Sequence, residues 1–182
     1  LKQSRERPTV ANMYYDADAD LGLLEGKKIA IIGYGIQGGA QSLCLRDSGV
    51  DVIVSELEGT PNYERALADG WQPLPAAEAV KQSQIIQILT QDHVQGMVYR
   101  NFVLPNLDEG DAMVFSHGFN IHYGQIVPPP NVDVFMIAPK GPGALVRECY
   151  LSDTGVPSLL AVYQDFTGQA KDLALAYAKA IK

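Results

Sequence analysis

Short apolar runs punctuate this chain, and the stretches between them carry apolar residues at helical spacing. A continuous apolar run suits a strand buried on both faces, and a period near 3.6 suits a helix laid against it. Lys28 to Ile32 is the first such strand. It runs into Gly33-Tyr34-Gly35-Ile36-Gln37-Gly38, and a helix is expected from about Gln37 to Ser48, ending at Gly49. Asp51 to Ser55 follows as a strand whose core is Val52, Ile53 and Val54. A loop from Glu56 to Asn62 then leads to a helix over Tyr63 to Ala68, a short strand near Trp71 to Leu74, and a helix over Ala76 to Gln82. Next come a strand over Gln84 to Leu89, a helix over Asp92 to Phe102, and strands over Asp111 to Ser116, Val132 to Ala138 and Pro157 to Tyr163. The last helix starts after Thr167 as its N-cap and runs to the end of the chain.

Strands that alternate with helices of this length predict an α/β fold of the Rossmann type: a doubly wound, mostly parallel sheet with helices on both faces. There is no internal repeat and no linker, so residues 1–182 read as a single dinucleotide-binding domain. Residues 1 to 13 read as a polar arm, Tyr14 to Asp20 as an acidic stretch, and Leu21 to Leu24 as the lead into the first strand.

The last helix has an apolar face made of Ala170, Leu173, Ala174, Tyr177, Ala178 and Ile181, and Leu175, Ala176 and Ala180 add apolar surface elsewhere. Two readings stand: an alanine-rich surface helix, or a helix that needs cover from another domain or subunit.

Composition narrows the class. With 47% hydrophobic and 19% charged residues, the chain can bury a sizeable core. No apolar run is long enough to span a membrane, and no signal-peptide pattern precedes the first strand in a chain that begins at Leu1. A net charge of −7 argues against nucleic acid as the main partner. Cys44 and Cys149 have neither a disulfide framework nor metal-ligand spacing around them, so they read as partly buried thiols in a reducing cytoplasm.

The chemistry is expected where the strands end, because open α/β sheets bind ligands beyond the carboxyl edge. Gly33, Gly35 and Gly38 form G-x-G-x-x-G between a strand and a helix, the setting in which backbone N–H groups take a pyrophosphate. The alternative is a glycine-rich turn without a ligand. Polar loops follow the other strands: Ser55 to Glu58, Thr90 to His93, Ser116 to Asn120 and Pro139 to Gly143. His117 and Lys140 are the groups there best suited to proton transfer or to holding an anion. Their alternatives are a loop histidine bonded to backbone and a solvated charge. His93 and His122 read as a helix-start residue and a loop residue.

Glu56 lies where this fold places an acid on the ribose hydroxyls. A carboxylate accepts hydrogen bonds from both hydroxyls and repels a 2′-phosphate. Between Lys28 and Arg65 the only cation is Arg46, on a helix. NAD(H) is therefore favoured, with NADP(H) possible if backbone N–H groups or the Thr60 hydroxyl take a phosphate. The alternative is that Glu56 and Glu58 are solvated loop charges.

YYDADADLGLLEGKKIAIIGYGIQGGA, FSHGFNIH (Phe115 to His122), VPPPNVDVFMIAPKGPG (Val127 to Gly143) and the tail GQAKDLALAYAKAI closely resemble the N-terminal domain of the ketol-acid reductoisomerase family. The likeness runs from about Tyr14 to Ile181. It implies Mg²⁺-dependent alkyl migration of 2-acetolactate or its acetohydroxybutyrate homologue, then hydride transfer from a nicotinamide to give a 2,3-dihydroxy acid, within valine and isoleucine biosynthesis. It also implies a catalytic role for His117 and a lysine near substrate and metals at Lys140. Cofactor contacts fall on the positions of Tyr34, Gly35, Ile36, Gln37, Leu57, Thr60, Asn62, Asp92, His93, Val94, Gln95 and Gly143.

The chain departs from the family pattern at Ile36 and Gly39, where Ser and His are usual. It departs also at Leu57, where a basic residue is usual, and at Thr60 and Asn62, which stand for serines. These changes agree with the Glu56 argument for NADH. The family's metal carboxylates lie in a helical domain that would begin just after Lys182. Mg²⁺ is therefore expected only with that domain, and no metal ligand is assigned in this chain. Asp16, Asp18 and Asp20 read as solvated. The chain alone is expected to bind cofactor without catalysing, and the full enzyme to be a homo-oligomer. The alternatives are a stand-alone NAD-binding module or sensor, and a dehydrogenase of β-hydroxy acids.

Overall fold

In the computed structural model, which describes residues 11–182, the apolar runs become six strands: β1 (Lys28–Ile32), β2 (Asp51–Ser55), β3 (Ile85–Ile88), β4 (Ala112–Phe115), β5 (Asp133–Pro139) and β6 (Ser158–Gln164). They form one sheet in the order β2-β1-β3-β4-β5-β6. All neighbours are parallel except β5 and β6, which are antiparallel. The chain passes from β1 to β2 on one side and then to β3 on the other. The order therefore reverses beside β1, and that is where a crevice opens at the carboxyl edge. The polar arm expected over residues 1–13 lies outside the described residues save for Ala11 to Met13, which are exposed.

Among the described residues seven helices cover the sheet: α1 (Ile36–Asp47), α2 (Pro61–Ala68), α3 (Ala76–Lys81), α4 (Asp92–Val98), α5 (Phe119–His122), α6 (Gly143–Leu151) and α7 (Ala170–Ile181). One face is closed by α1 and α7, with Cys44, Leu45, Leu173 and Tyr177 packed on Ile29, Ile31, Val114 and Phe135. On the other face Val80 of α3 and Val98 of α4 pack on Ile86, Ile88, Met113 and Val134. Cys44 is fully buried and Cys149 half-buried.

Several expectations are corrected. Trp71 to Leu74 makes only an isolated bridge, Leu74 to Ser55, because Pro73 and Pro75 flank Leu74 and remove ladder donors. The helix expected over Asp92 to Phe102 is α-helical only to Val98. It then widens to a π turn over Tyr99–Val103 and tightens to a 3-10 turn at Leu104–Asn106, where Pro105 stops it. Helix α5 stands where the pattern marks none, and the helical-looking stretch around Cys149 becomes α6. The segment after β5 does not run back across the sheet but folds as α6 against α1, so β6 re-enters from the same edge and runs antiparallel. The Lys140 N–H bonds the Pro157 carbonyl at 2.9 Å and closes this return.

Thr167 is not the N-cap of the last helix. Its hydroxyl donates to the buried Asp133 carboxylate at 2.6 Å, and α7 begins at Ala170, whose N–H is held by Asp165 at 3.0 Å. Nor does α7 wait for outside cover. Its Leu173 to Tyr177, Ala180 and Ile181 are already buried by the chain itself. The segment before β1 folds as two 3-10 turns, Asp16–Asp18 and Leu21–Leu24, and lies over α7. Lys179 donates to the carbonyls of Asp16 and Ala19, both at 2.9 Å, and pins it there.

Candidate functional site

The glycine turn joins β1 to α1 and is held from both sides. Gly33 N–H donates to the Ser55 carbonyl at 2.9 Å, tying the end of β1 to the end of β2. A Cβ on Gly38 would collide with the Gly33 carbonyl oxygen, so only glycine lets α1 start this close to the strand. A Cβ on Gly35 would meet nothing within 4 Å, so the backbone there faces open space. No side chain caps α1. The N–H groups of its first turn thus point outward unpaired, the arrangement that attracts a phosphate.

Tyr34 contributes backbone to this turn. Its ring is fully buried, and its hydroxyl donates to Asp69 at 2.8 Å and accepts from Trp71 Nε1 at 2.9 Å. Burial, with the Asp69 hydrogen bond behind it, pushes the hydroxyl up to about 12. Ile36, by contrast, is 68% exposed at the mouth of the turn, and Gln37 is half-buried beside it.

Glu56 follows β2 and bends back over the turn. Its Oε2 accepts the Tyr34 N–H at 2.7 Å and its Oε1 accepts the Leu57 N–H at 2.9 Å. Each carboxylate oxygen has a second lone pair left for a hydroxyl. Leu57 is 75% exposed. Thr60 is the N-cap of α2: its hydroxyl donates to the Leu57 carbonyl at 2.8 Å and accepts the Tyr63 N–H at 3.2 Å. Its one proton is thus committed to the loop. Asn62 accepts from Arg65 at 3.2 Å, and the same guanidinium donates to the Tyr34 carbonyl and lies over the Tyr34 ring. The structure therefore brings a cation to the turn that the loop composition alone does not supply. The signal was Arg65 three residues after Asn62 on a helix, which puts both on one face.

Across the crevice, Asp92 and His93 open α4, with His93 exposed and Val94 half-buried. Gln95 is buried: its Nε2 donates to the Thr90 carbonyl at 2.8 Å and its Oε1 accepts from Asn120 at 2.9 Å. That pair fastens the loop after β3 to α5. His117, after β4, is exposed and 3.6 Å from the Asp92 carboxylate. Its Nδ1 accepts the Phe119 N–H at 3.2 Å, so the neutral ring carries its proton on Nε2. Lys140, after β5, is exposed and makes no ion pair among the described residues.

His117 and Lys140 line one open cavity of about 580 Å³ together with Phe119, His122, Tyr123 and Met136. The chain pattern reads His122 as a loop residue, but it ends α5 and stands in the wall of this cavity. The Glu56 and Arg65 loop and the His117 and Lys140 loops thus stand on the same carboxyl edge, with the glycine turn between them. Among the described residues no three His, Cys, Asp or Glu side chains converge as a metal-ligand set.

A sequence profile described as acetohydroxy acid isomeroreductase, NADPH-binding domain, matches residues 23–182. The chain is 58% identical over 168 residues to ketol-acid reductoisomerase (NADP(+)) of Petrotoga mobilis, covering 92% of this chain and 51% of that protein. It superposes with a TM-score of 0.90 on an NADH-preferring ketol-acid reductoisomerase from an uncultured archean, at 44% identity over 94% of this chain and 53% of that one. A semialdehyde dehydrogenase NAD-binding protein from Cupriavidus necator shares the fold, with a TM-score of 0.72 at 21% identity over 85% of this chain and 59% of that one. The chain spans about half the length of the ketol-acid reductoisomerases it matches. It belongs to the acetohydroxy acid isomeroreductase, or ketol-acid reductoisomerase, family, as that family's N-terminal NADPH-binding domain.

Proposed function

We propose that this chain is the dinucleotide-binding half of a ketol-acid reductoisomerase that prefers NADH and acts on 2-acetolactate or its acetohydroxybutyrate homologue. The observation that carries the reading is the meeting of three features on one edge: the uncapped start of α1, the Glu56 carboxylate over the turn, and the cavity that holds His117 and Lys140. The open space at Gly35 fits a pyrophosphate passing close to backbone. The N–H groups of Ile36, Gln37 and Gly38 would hold the phosphates, and Glu56 the ribose hydroxyls. Once bound, the nicotinamide supplies a hydride to a carbonyl.

The residues of the chain do the rest. His117 presents its Nε2–H, which has no protein partner among the described residues, and can donate a hydrogen bond from it to an oxygen in the cavity. Lys140 offers an ammonium to the substrate carboxylate. Phe119, Tyr123 and Met136 give the cavity an apolar wall suited to an alkyl group.

The side chains around this cavity do not fit Mg²⁺, which takes oxygen ligands in octahedral geometry. The cavity wall presents imidazoles and an ammonium, with the single carboxylate of Asp92 beside it. No step is assigned to the metal within this chain, and its carboxylates would have to come from elsewhere in the protein.

The preference for NADH rests on Glu56, whose charge opposes a 2′-phosphate. The neighbour of known NADH preference supports it. Arg65 favours a second reading in which NADPH is also taken, since its guanidinium reaches from α2 to the Tyr34 carbonyl in the glycine turn. The test is oxidation of NADH and of NADPH by the full-length protein with Mg²⁺ and 2-acetolactate. Turnover with NADH above that with NADPH is expected. Cofactor binding with no turnover would replace the enzyme by a dinucleotide-binding module, and faster turnover with NADPH would reverse the preference.

A further inference from the structure

A line of hydrogen bonds, buried at α7 and part-buried toward the surface, runs beneath the site from α7 to the loop that carries Lys140. Tyr177 Oη donates to Gln41 Oε1 at 2.8 Å. Gln41 Nε2 donates to Gln37 Oε1 at 3.1 Å and to Ser116 Oγ at 3.3 Å. Gln37 Nε2 donates to the Gly141 carbonyl at 2.8 Å. Every donor points the same way, so each amide is oriented by the one before it. Tyr177 and Gln41 are both 0% exposed, and burial keeps the Tyr177 hydroxyl protonated.

The segments joined by this line are those that carry the candidate chemistry. Gln37 belongs to the glycine turn. Ser116 precedes His117, and its hydroxyl is anchored on the Ile137 carbonyl at 2.8 Å. Gly141 follows Lys140. The packing is close at the same place: a Cβ on Gly143 would collide with the Ile36 carbonyl, so the start of α6 is pressed against the start of α1. Gln41 itself is absent from the cavity wall.

We propose that Gln41 is a positioning residue that sets the dinucleotide turn at a fixed distance from the His117 and Lys140 loops. The proposal rests on reading this edge as the cofactor and substrate site. Gln41 acts by being both acceptor and donor at a position closed to bulk solvent. An apolar residue there leaves the Tyr177 hydroxyl and the Gln37 carbonyl oxygen without their partner, and the loops must re-seat to recover one. Reacting groups displaced by a fraction of an ångström to an ångström lose rate while the cofactor still binds.

The test uses the full-length enzyme with acetolactate, Mg²⁺ and NADH, with NADH affinity measured separately by fluorescence. Gln41→Leu is expected to lower kcat by about tenfold or more while the NADH Kd moves less than about twofold. Gln41→His, which restores one donor and one acceptor, is expected to recover most of the rate. Tyr177→Phe deletes one oxygen from the same line and is expected to lower kcat in the same direction. Combined with Gln41→Leu it should add little. If Gln41→Leu does not fold, Tyr177→Phe alone carries the test. Variants that lose melting temperature but keep kcat, or effects that add in full, would overturn the proposal. A wild-type enzyme with no acetolactate turnover would instead remove the functional reading, and the proposal with it.

Discussion

Glu56 accepts the backbone N–H of Tyr34 at 2.7 Å, so the acid that follows β2 braces the glycine turn. Its charge and its geometry can be separated, because Glu56→Gln keeps an acceptor oxygen for Tyr34 while removing the charge. NADPH affinity is expected to rise by about tenfold relative to NADH, which corresponds to about 1.4 kcal/mol. Fluorescence titration of both cofactors checks it, and an unchanged ratio would remove Glu56 as the source of preference.

Arg65 acts in the opposite sense. Its guanidinium touches the Tyr34 carbonyl and Asn62 and stays exposed to solvent. Arg65→Ala is expected to weaken NADPH binding by several-fold more than NADH binding, and to flatten the salt dependence of NADPH binding. Equal losses for the two cofactors would mean that Arg65 only supports the turn.

His117 is tied to its loop through Nδ1 and leaves Nε2 to the cavity. His117→Ala in the full-length enzyme is expected to cut turnover by about a hundredfold or more, with NADH affinity unchanged. A variant that keeps turnover but loses cofactor would assign His117 to binding.

Asp111 sits at the opposite edge of the sheet, before β4. Burial raises its carboxyl to about 6, partly offset by the Asp108 N–H at 2.8 Å and reinforced by the Asp108 charge. The folded state therefore holds this proton more tightly than the unfolded chain does. Its contribution to stability is full below the ordinary carboxylate range and is lost as pH rises through about 6. Asp111→Asn keeps the acceptor and cannot ionise. It should be more stable than the wild type above pH 6, by up to about 3 kcal/mol, with the difference vanishing near pH 4. Denaturant melts at both pH values check the sign.

The local devices of this fold are plain in the sequence. A continuous apolar run ending in Gly33, a glycine after α1 and Glu56 after Val54 each depend on neighbours in the chain, and each stands where expected. The loops with His117 and Lys140 follow from the rule that strands present their carboxyl ends to a ligand, and both line one cavity. What escaped depends on distant partners. Gln41 and Tyr177 are 136 positions apart, and neither residue marks itself as polar core. The π turn after Val98 has no composition of its own to announce it. The antiparallel β6 follows from where α6 packs, which periodicity along the chain does not encode. The cover of α7 comes from Leu21 to Leu24, far from it along the chain, so helical periodicity leaves an alanine-rich surface helix and a helix covered by another domain or subunit equally open.

That cover makes the start of the folding unit a matter of packing and not of motif. The sequence profile begins at residue 23 and the first strand at Lys28, yet the carbonyls of Asp16 and Ala19 are what hold Lys179. Trimming the protein back to its glycine motif would remove Leu21, Leu23 and Leu24, which share one apolar cluster with α7, and leave part of that cluster in water. A cut at Lys28 would thus yield a chain that keeps the glycine turn and the His117 and Lys140 loops but carries an uncovered apolar face and a tendency to aggregate.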